Sequence, residues 1–138
     1  MHYLLTLFSF VLLASPQAQA CRGPSMENTL FFKAISNPPA GADVIAKVAL
    51  LDVTVMDFYK GEATAKVLQV IGPAEARVHK GDIISLKYLV SSCGPYDQSG
   101  HVGTIVAKAV TDCSGRLVWH PYTYRVSDGT FWAPSINK

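Results

Sequence analysis

The chain has 138 residues, with 12 Lys and Arg against 10 Asp and Glu, a net charge of +2. That balance is too mild for a nucleic-acid binder, which needs a clustered basic face. No repeat or low-complexity tract runs through the sequence. Beyond residue 20 no apolar run is long enough for a bilayer, because "VIAKVALLDVTVM" (44–56) is interrupted by Lys47 and Asp52.

Residues 1–20 contain no Lys, Arg, Asp or Glu. The apolar run "YLLTLFSFVLLA" is short for a transmembrane helix and is followed by Pro16 and then by Ala-Gln-Ala. Small residues at 18 and 20 suit signal peptidase, so 1–20 is expected to be a secretory signal, cleaved after Ala20, that delivers the protein to the periplasm or the exterior. Cleavage leaves Cys21 first and a single domain over 21–138. The alternative is a lipoprotein whose Cys21 is acylated; such signals place Leu three before the cysteine and small residues next, where this chain has Ala18, Gln19 and Ala20. Three cysteines (Cys21, Cys93 and Cys113) in an exported chain imply one disulfide and one remaining thiol.

Ser25 is placed to cap a short helix over "MENTLFFKAI" (26–35), although Thr29 and the paired phenylalanines equally allow an extended segment. The prolines of "SNPPAGA" (36–42) end it. Over 44–56, Val44, Ala46, Val48 and Leu50 form one apolar face; at Leu50–Leu51 the phase flips and Leu51, Val53 and Val55 take over. A second flip falls at Val67–Leu68 within 63–72. One-residue flips are the mark of β-bulges, which bend a strand while keeping its apolar side inward. Two long bent strands predict a small barrel. "KGD" (80–82) turns into "IISLKYLV" (83–90), where Ile84, Leu86, Tyr88 and Val90 share a face; after a polar loop come strands over 102–110 and 116–120, and "YTYRV-SDG-TFW" reads as a hairpin around Asp128–Gly129. The predicted fold is all-β: a five-stranded antiparallel OB-fold-like barrel with a short N-terminal helix or extended segment and a C-terminal hairpin.

"ADVIAKVALLDV", "ATAKVLQVIGP", "GDIISLKYLVSSCGPY" and "VGTIVAKA", in that order after an N-terminal Cys21, resemble the netrin-like family, which includes the tissue inhibitors of metalloproteinases and many small exported bacterial proteins. The likeness extends over residues 21 to 120. In those inhibitors the first cysteine is bonded to one in a strand-end loop, so the resemblance implies a Cys21–Cys93 disulfide. It also implies an inhibitory edge at Cys21 and Arg22, whose first amine and carbonyl would chelate a protease zinc. The chain departs from the inhibitors at Gly23, where they carry a second cysteine, and at Pro24, one place earlier than their proline; Cys113 matches the partner of the missing cysteine. Independently of the family, Cys93 and Cys113 flank a predicted strand about 30 Å long at roughly 3.3 Å per residue. A disulfide allows roughly 7 Å between Cα atoms, so Cys21 is expected to pair with one of them.

His79, His101 and His120 are joined by no HxH, HExxH or CxxC spacing, so no metal or cofactor is predicted. A zinc site from His101, His120 and Cys113, or a Cys113–His120 nucleophile pair, would require the fold to assemble it. Asp52, Asp57, Glu62 and Glu75 show no catalytic pairing in sequence. Tyr122, Tyr124 and Trp132 are candidate binding aromatics, since OB barrels stack ligands on aromatic rings. Tyr88 is assigned to the core because it shares the face of Ile84 and Leu86. No catalytic residue is predicted. The expected function is an exported, non-enzymatic binding module with a protein partner. The alternatives are a metalloprotease inhibitor acting through Cys21, and a small hydrolase or metal-dependent enzyme. Intact-mass and peptide mapping of exported protein is expected to show a chain starting at an unacylated Cys21 bonded to Cys93; an acylated Cys21 or a Cys93–Cys113 bond would overturn this layout.

Overall fold

In the computed structural model the described residues are 26–28, 30–32, 35, 38–56, 60–89, 97–126 and 131–132. The leader, Cys21, Arg22 and Cys93 lie outside them, as do Asp57, Val90 and the Asp128–Gly129 turn. Among the described residues eight strands run in chain order: β1 (Met26–Asn28), β2 (Val44–Met56), β3 (Lys60–Gly72), β4 (Ile83–Leu89), β5 (Val102–Thr111), β6 (Leu117–Pro121), β7 (Tyr124–Val126) and β8 (Phe131–Trp132). Five of them close into a barrel in the order β2-β3-β4-β6-β5. Its pairings are antiparallel except β4 with β6, which run parallel. This is an all-β, OB-fold-like barrel. The segment from Met26 takes the extended option: β1 pairs with β7, and β7 with β8, in a separate three-stranded sheet that contains the expected C-terminal hairpin.

Closure comes from bending. The register between β2 and β3 slips at three places, leaving Leu51 unopposed on β2 and Leu68 and Ile71 on β3. Each extra residue coils the ribbon, so β2 reaches β5 with its first half, Val44 to Ala49, while staying paired with β3 along its whole length. The phase flips at Leu51 and Leu68 are therefore real bulges. One consequence differs from the sequence pattern. Leu51 is the bulged residue and is 47% exposed, and Val55 lies near the far end of the β2–β3 ribbon at 46% exposure, so only Val53 continues the apolar face into the core.

The interior holds Val44, Ala46, Val48 and Leu50 from β2, Ile84, Leu86 and Tyr88 from β4, Ile105 and Ala107 from β5, and Trp119 from β6. β3 contributes Ala63, Ala65 and Val67, with Val70 partly buried against the same cluster. Small residues there leave volume for the Trp119 ring, the large-against-small matching a narrow barrel requires. Leu30 and Val78, both outside the strands, join the same cluster. Outside the barrel, Phe32, Val106 and Tyr122 form a second cluster, fixed by main-chain bonds from Phe32 N–H to Thr104 O at 2.9 Å and from Tyr122 N–H to Val106 O at 2.8 Å.

Tyr88 illustrates how tightly the wall is built. Its cross-strand partner is Gly61, and its ring lies flat over that glycine. A Cβ at position 61 would fall 2.8 Å from the ring. Gly61→Ala is therefore expected to destabilise the fold by about 1–3 kcal/mol, the usual range for overpacking. Ile83→Thr on the exposed side of β4 should change stability by no more than about 0.5 kcal/mol. Urea unfolding of both variants checks the contrast, and equal midpoints would refute the contact.

Candidate binding groove

Outward positions on the barrel strands are polar where inward ones are apolar. Register aligns them into two cross-strand rows: Asp52, Thr64 and Ser85 in one, and Thr54, Glu62 and Lys87 in the next. These six side-chain positions and the start of β6 enclose a groove of about 260 Å³, whose far wall is Arg116, Leu117 and Val118. The groove lies at the weakest joint of the barrel. β4 and β6 meet through one bridge, Leu86 with Trp119, whereas β5 and β6 share five register pairs.

Arg116 is positioned by the turn before β6. The Asp112 carboxylate accepts hydrogen bonds from Ser114 N–H (2.9 Å), Ser114 Oγ–H (2.6 Å), Arg116 N–H (3.0 Å) and Arg116 Nε–H (3.3 Å). Gly115 takes φ 81°, a left-handed conformation that glycine adopts without a Cβ penalty. The Ser114 hydroxyl, the Arg116 and Ser114 amides and the Arg116 charge together hold the Asp112 carboxyl down at about 2.

Charges in the groove are largely neutralised from within. Lys87 Nζ sits 3.4 Å from Glu62 Oε1, and Arg116 Nη2 sits 3.2 Å from Asp112 Oδ2. Asp52 is exposed and, among the described residues, has no such counter-charge. His120 stands beside Lys87; partial burial, and then the Lys87 charge, lower its pKa.

The sequence candidates are dispersed. Cys113 is an exposed free thiol in the 112–116 turn. His120 is near the other end of β6, about 10 Å beyond Leu117 at roughly 3.3 Å per residue. His101 is at the opposite end of β5, accepting a bond from Gln98 N–H on Nδ1. Among the described residues no three His, Cys, Asp or Glu gather as metal ligands, so His101, His120 and Cys113 are not brought together. Tyr122 is buried against Phe32 and Val106, leaving little ring surface for a ligand. Tyr124 and Trp132 are register partners in the small sheet. The groove residues were missed because outward strand positions with Thr, Ser, Lys and Glu look like ordinary solvated surface. The one signal available was the period-2 polar phase on three strands that pair.

Comparison with protein-family models, with curated proteins and with solved structures finds no match to this chain.

The turn chemistry is testable by pH. The Asp112 side-chain carbon is expected to titrate with a midpoint of about 2 in an NMR titration. Ser114→Ala should move that midpoint upward, because the largest contribution, the hydroxyl bond, is gone. The folded value is depressed, so the turn's contribution to stability is present above the usual carboxylate range and fades as pH falls toward 2. An unshifted midpoint in Ser114→Ala would exclude this network.

Proposed function

We propose that the chain is an exported, non-enzymatic OB-fold binding module whose partner is a protein, and that the groove on the β2-β3-β4 wall is where that partner docks. The observation that carries this is the groove itself: three hydroxyl-bearing and three charged side chains displayed on paired strands of a closed barrel, with Arg116 beside them in the turn before β6. In OB barrels this wall and the turn before the last strand are the usual ligand surface. Its volume, about 260 Å³, falls below the roughly 300–1,000 Å³ of pockets that engulf a small molecule, which favours part of a larger partner. Among the described residues the lining contains no aromatic ring on which a base or sugar would stack. Its described cations are each already held by a carboxylate, Lys87 by Glu62 and Arg116 by Asp112, which disfavours a polyanion.

Chemistry has less support. A general acid near neutral pH needs burial to keep its proton, whereas Asp52 is exposed and Glu62 is both 42% exposed and ion-paired. The inhibitor alternative depends on Cys21 and Arg22, which lie outside the described residues, and gains nothing from the groove. The expected export rests on the leader sequence. The netrin-like kinship rests on the sequence pattern, and the barrel is of the kind it calls for. No helix among the described residues is long and apolar enough to cross a membrane.

The test is a binding screen with exported protein against displayed random peptides, a glycan array and single-stranded oligonucleotides. Peptides alone are expected to bind saturably, and Thr64→Trp, which fills the groove from a strand position tolerant of aromatics, should abolish binding while the far-ultraviolet spectrum is kept. Binding of glycans or oligonucleotides in place of peptides would overturn the assignment.

A further inference from the structure

On the premise that the partner is a protein, we propose that the groove selects an extended peptide segment carrying one cationic side chain, which is received by Asp52. Two observations lead there. The first is charge bookkeeping. Glu62 is matched by Lys87 within the groove at 3.4 Å, and Arg116 is matched at 3.2 Å by Asp112 of the adjoining turn, so among the described residues Asp52 is the charged side chain of the lining left without a partner. A ligand that brings an anion meets an uncompensated carboxylate; one that brings a cation completes the set. The second is shape. The groove takes in two successive outward rows of β2, β3 and β4 and ends at the start of β6, where a single bridge, Leu86 to Trp119, joins β4 and β6. A segment that reaches from Asp52 on β2 across β3 and β4 to the start of β6 is extended.

The row Asp52–Thr64–Ser85 crosses three strands. At about 4.8 Å per strand, the two hydroxyls lie roughly 5 and 10 Å from the carboxylate row end. A guanidinium or ammonium at Asp52 therefore has the Thr64 hydroxyl beside it as an acceptor, while Ser85 is left to meet the main chain of the segment. Leu117, 38% exposed, offers an apolar wall to the neighbouring side chain of the ligand. The recognised feature is thus a basic residue flanked by a small apolar one in a strand-like stretch.

Three synthetic peptides of alternating Thr and Val test this, identical except for a central Arg, its neutral isostere citrulline, or Glu. They are titrated into exported, isotope-labelled protein by fluorescence polarisation and amide chemical shift. The Arg peptide is expected to shift the amides of Asp52, Thr64, Ser85 and Leu117. Asp52→Asn should weaken it about three- to fivefold, the size of an exposed ion pair. That loss should shrink at high salt. Citrulline should bind the unaltered protein as weakly as Arg binds Asp52→Asn, and Glu weaker still. Equal binding of Arg and citrulline peptides, an unaffected Asp52→Asn, or shifts confined to another face would each overturn the proposal. Its failure is distinguishable from failure of the protein-partner assignment. If displayed peptides occupy the groove without enrichment in Lys or Arg, only the cationic selectivity falls; if no peptide of any sequence binds, both fall.

Discussion

Everything in this molecule depends on β2 being hydrogen-bonded on both edges. A flat 13-residue strand paired along its length with β3 has no reason to meet β5 as well. The unopposed residues Leu51, Leu68 and Ile71 supply the coil that makes the meeting geometrically available. Once β2 and β5 are joined, the barrel has no open side there, and the inward residues of five strands face one another across a space narrow enough to be filled by side chains alone. Trp119, 1% exposed, is the largest of them, and it shares the interior with the small alanines of β3. Losing the bulges would do more than straighten a strand: beyond each slip, a register shift of one residue would turn the apolar side of β2 or β3 outward.

The groove follows from the same closure. A ring of five strands must somewhere join two of parallel sense, and here that joint is β4 with β6. It is also the shortest ladder, one bridge against five to eleven register pairs in the other joints. Where strands separate, the surface becomes concave. The concavity is floored by strands that the core holds rigidly, so its polar side chains are set at strand spacing and are not left to a loop. That rigidity matters for recognition, because groups on fixed strands lose less freedom on binding than groups on mobile segments.

Much of this was legible in the residues. The bulges showed as one-residue phase slips in otherwise alternating sequence, and the bounds of β2 matched the apolar pattern over 44–56. The inward face of β4, including Tyr88, could be read off its alternation. What could not be read was which strand joins which across the ring, since period-2 patterning fixes a face but not a neighbour. The groove was hidden for that reason. Asp52, Glu62, Lys87 and Arg116 are far apart in sequence and become one surface only through register. Tyr122 shows the converse: its alternation with Thr123 allowed either a binding or a packing role, and only the Phe32 segment laid along Thr104 shows what covers it. Leu51 and Val55 look apolar and inward by pattern, yet one is the bulge and the other outruns the core.

The electrostatics of the wall separate what holds the fold from what remains to be used. Exposed ion pairs such as Glu62–Lys87 add little stability, at most about 1 kcal/mol. Their effect is instead on orientation and on charge balance: Lys87 is held by Glu62, and Arg116 is held by a carboxylate that is itself fixed by two hydrogen bonds from Ser114. Cations restrained in this way are poor partners for an incoming anion, since each would have to give up an existing contact. Among the described residues Asp52 has no such contact to lose. It stands in a row with two neutral hydroxyls, on the strand that closes the barrel, and its side chain is free to reorganise around a positive group without cost to the core. The residue least used by the fold is the one best placed to be used by a ligand.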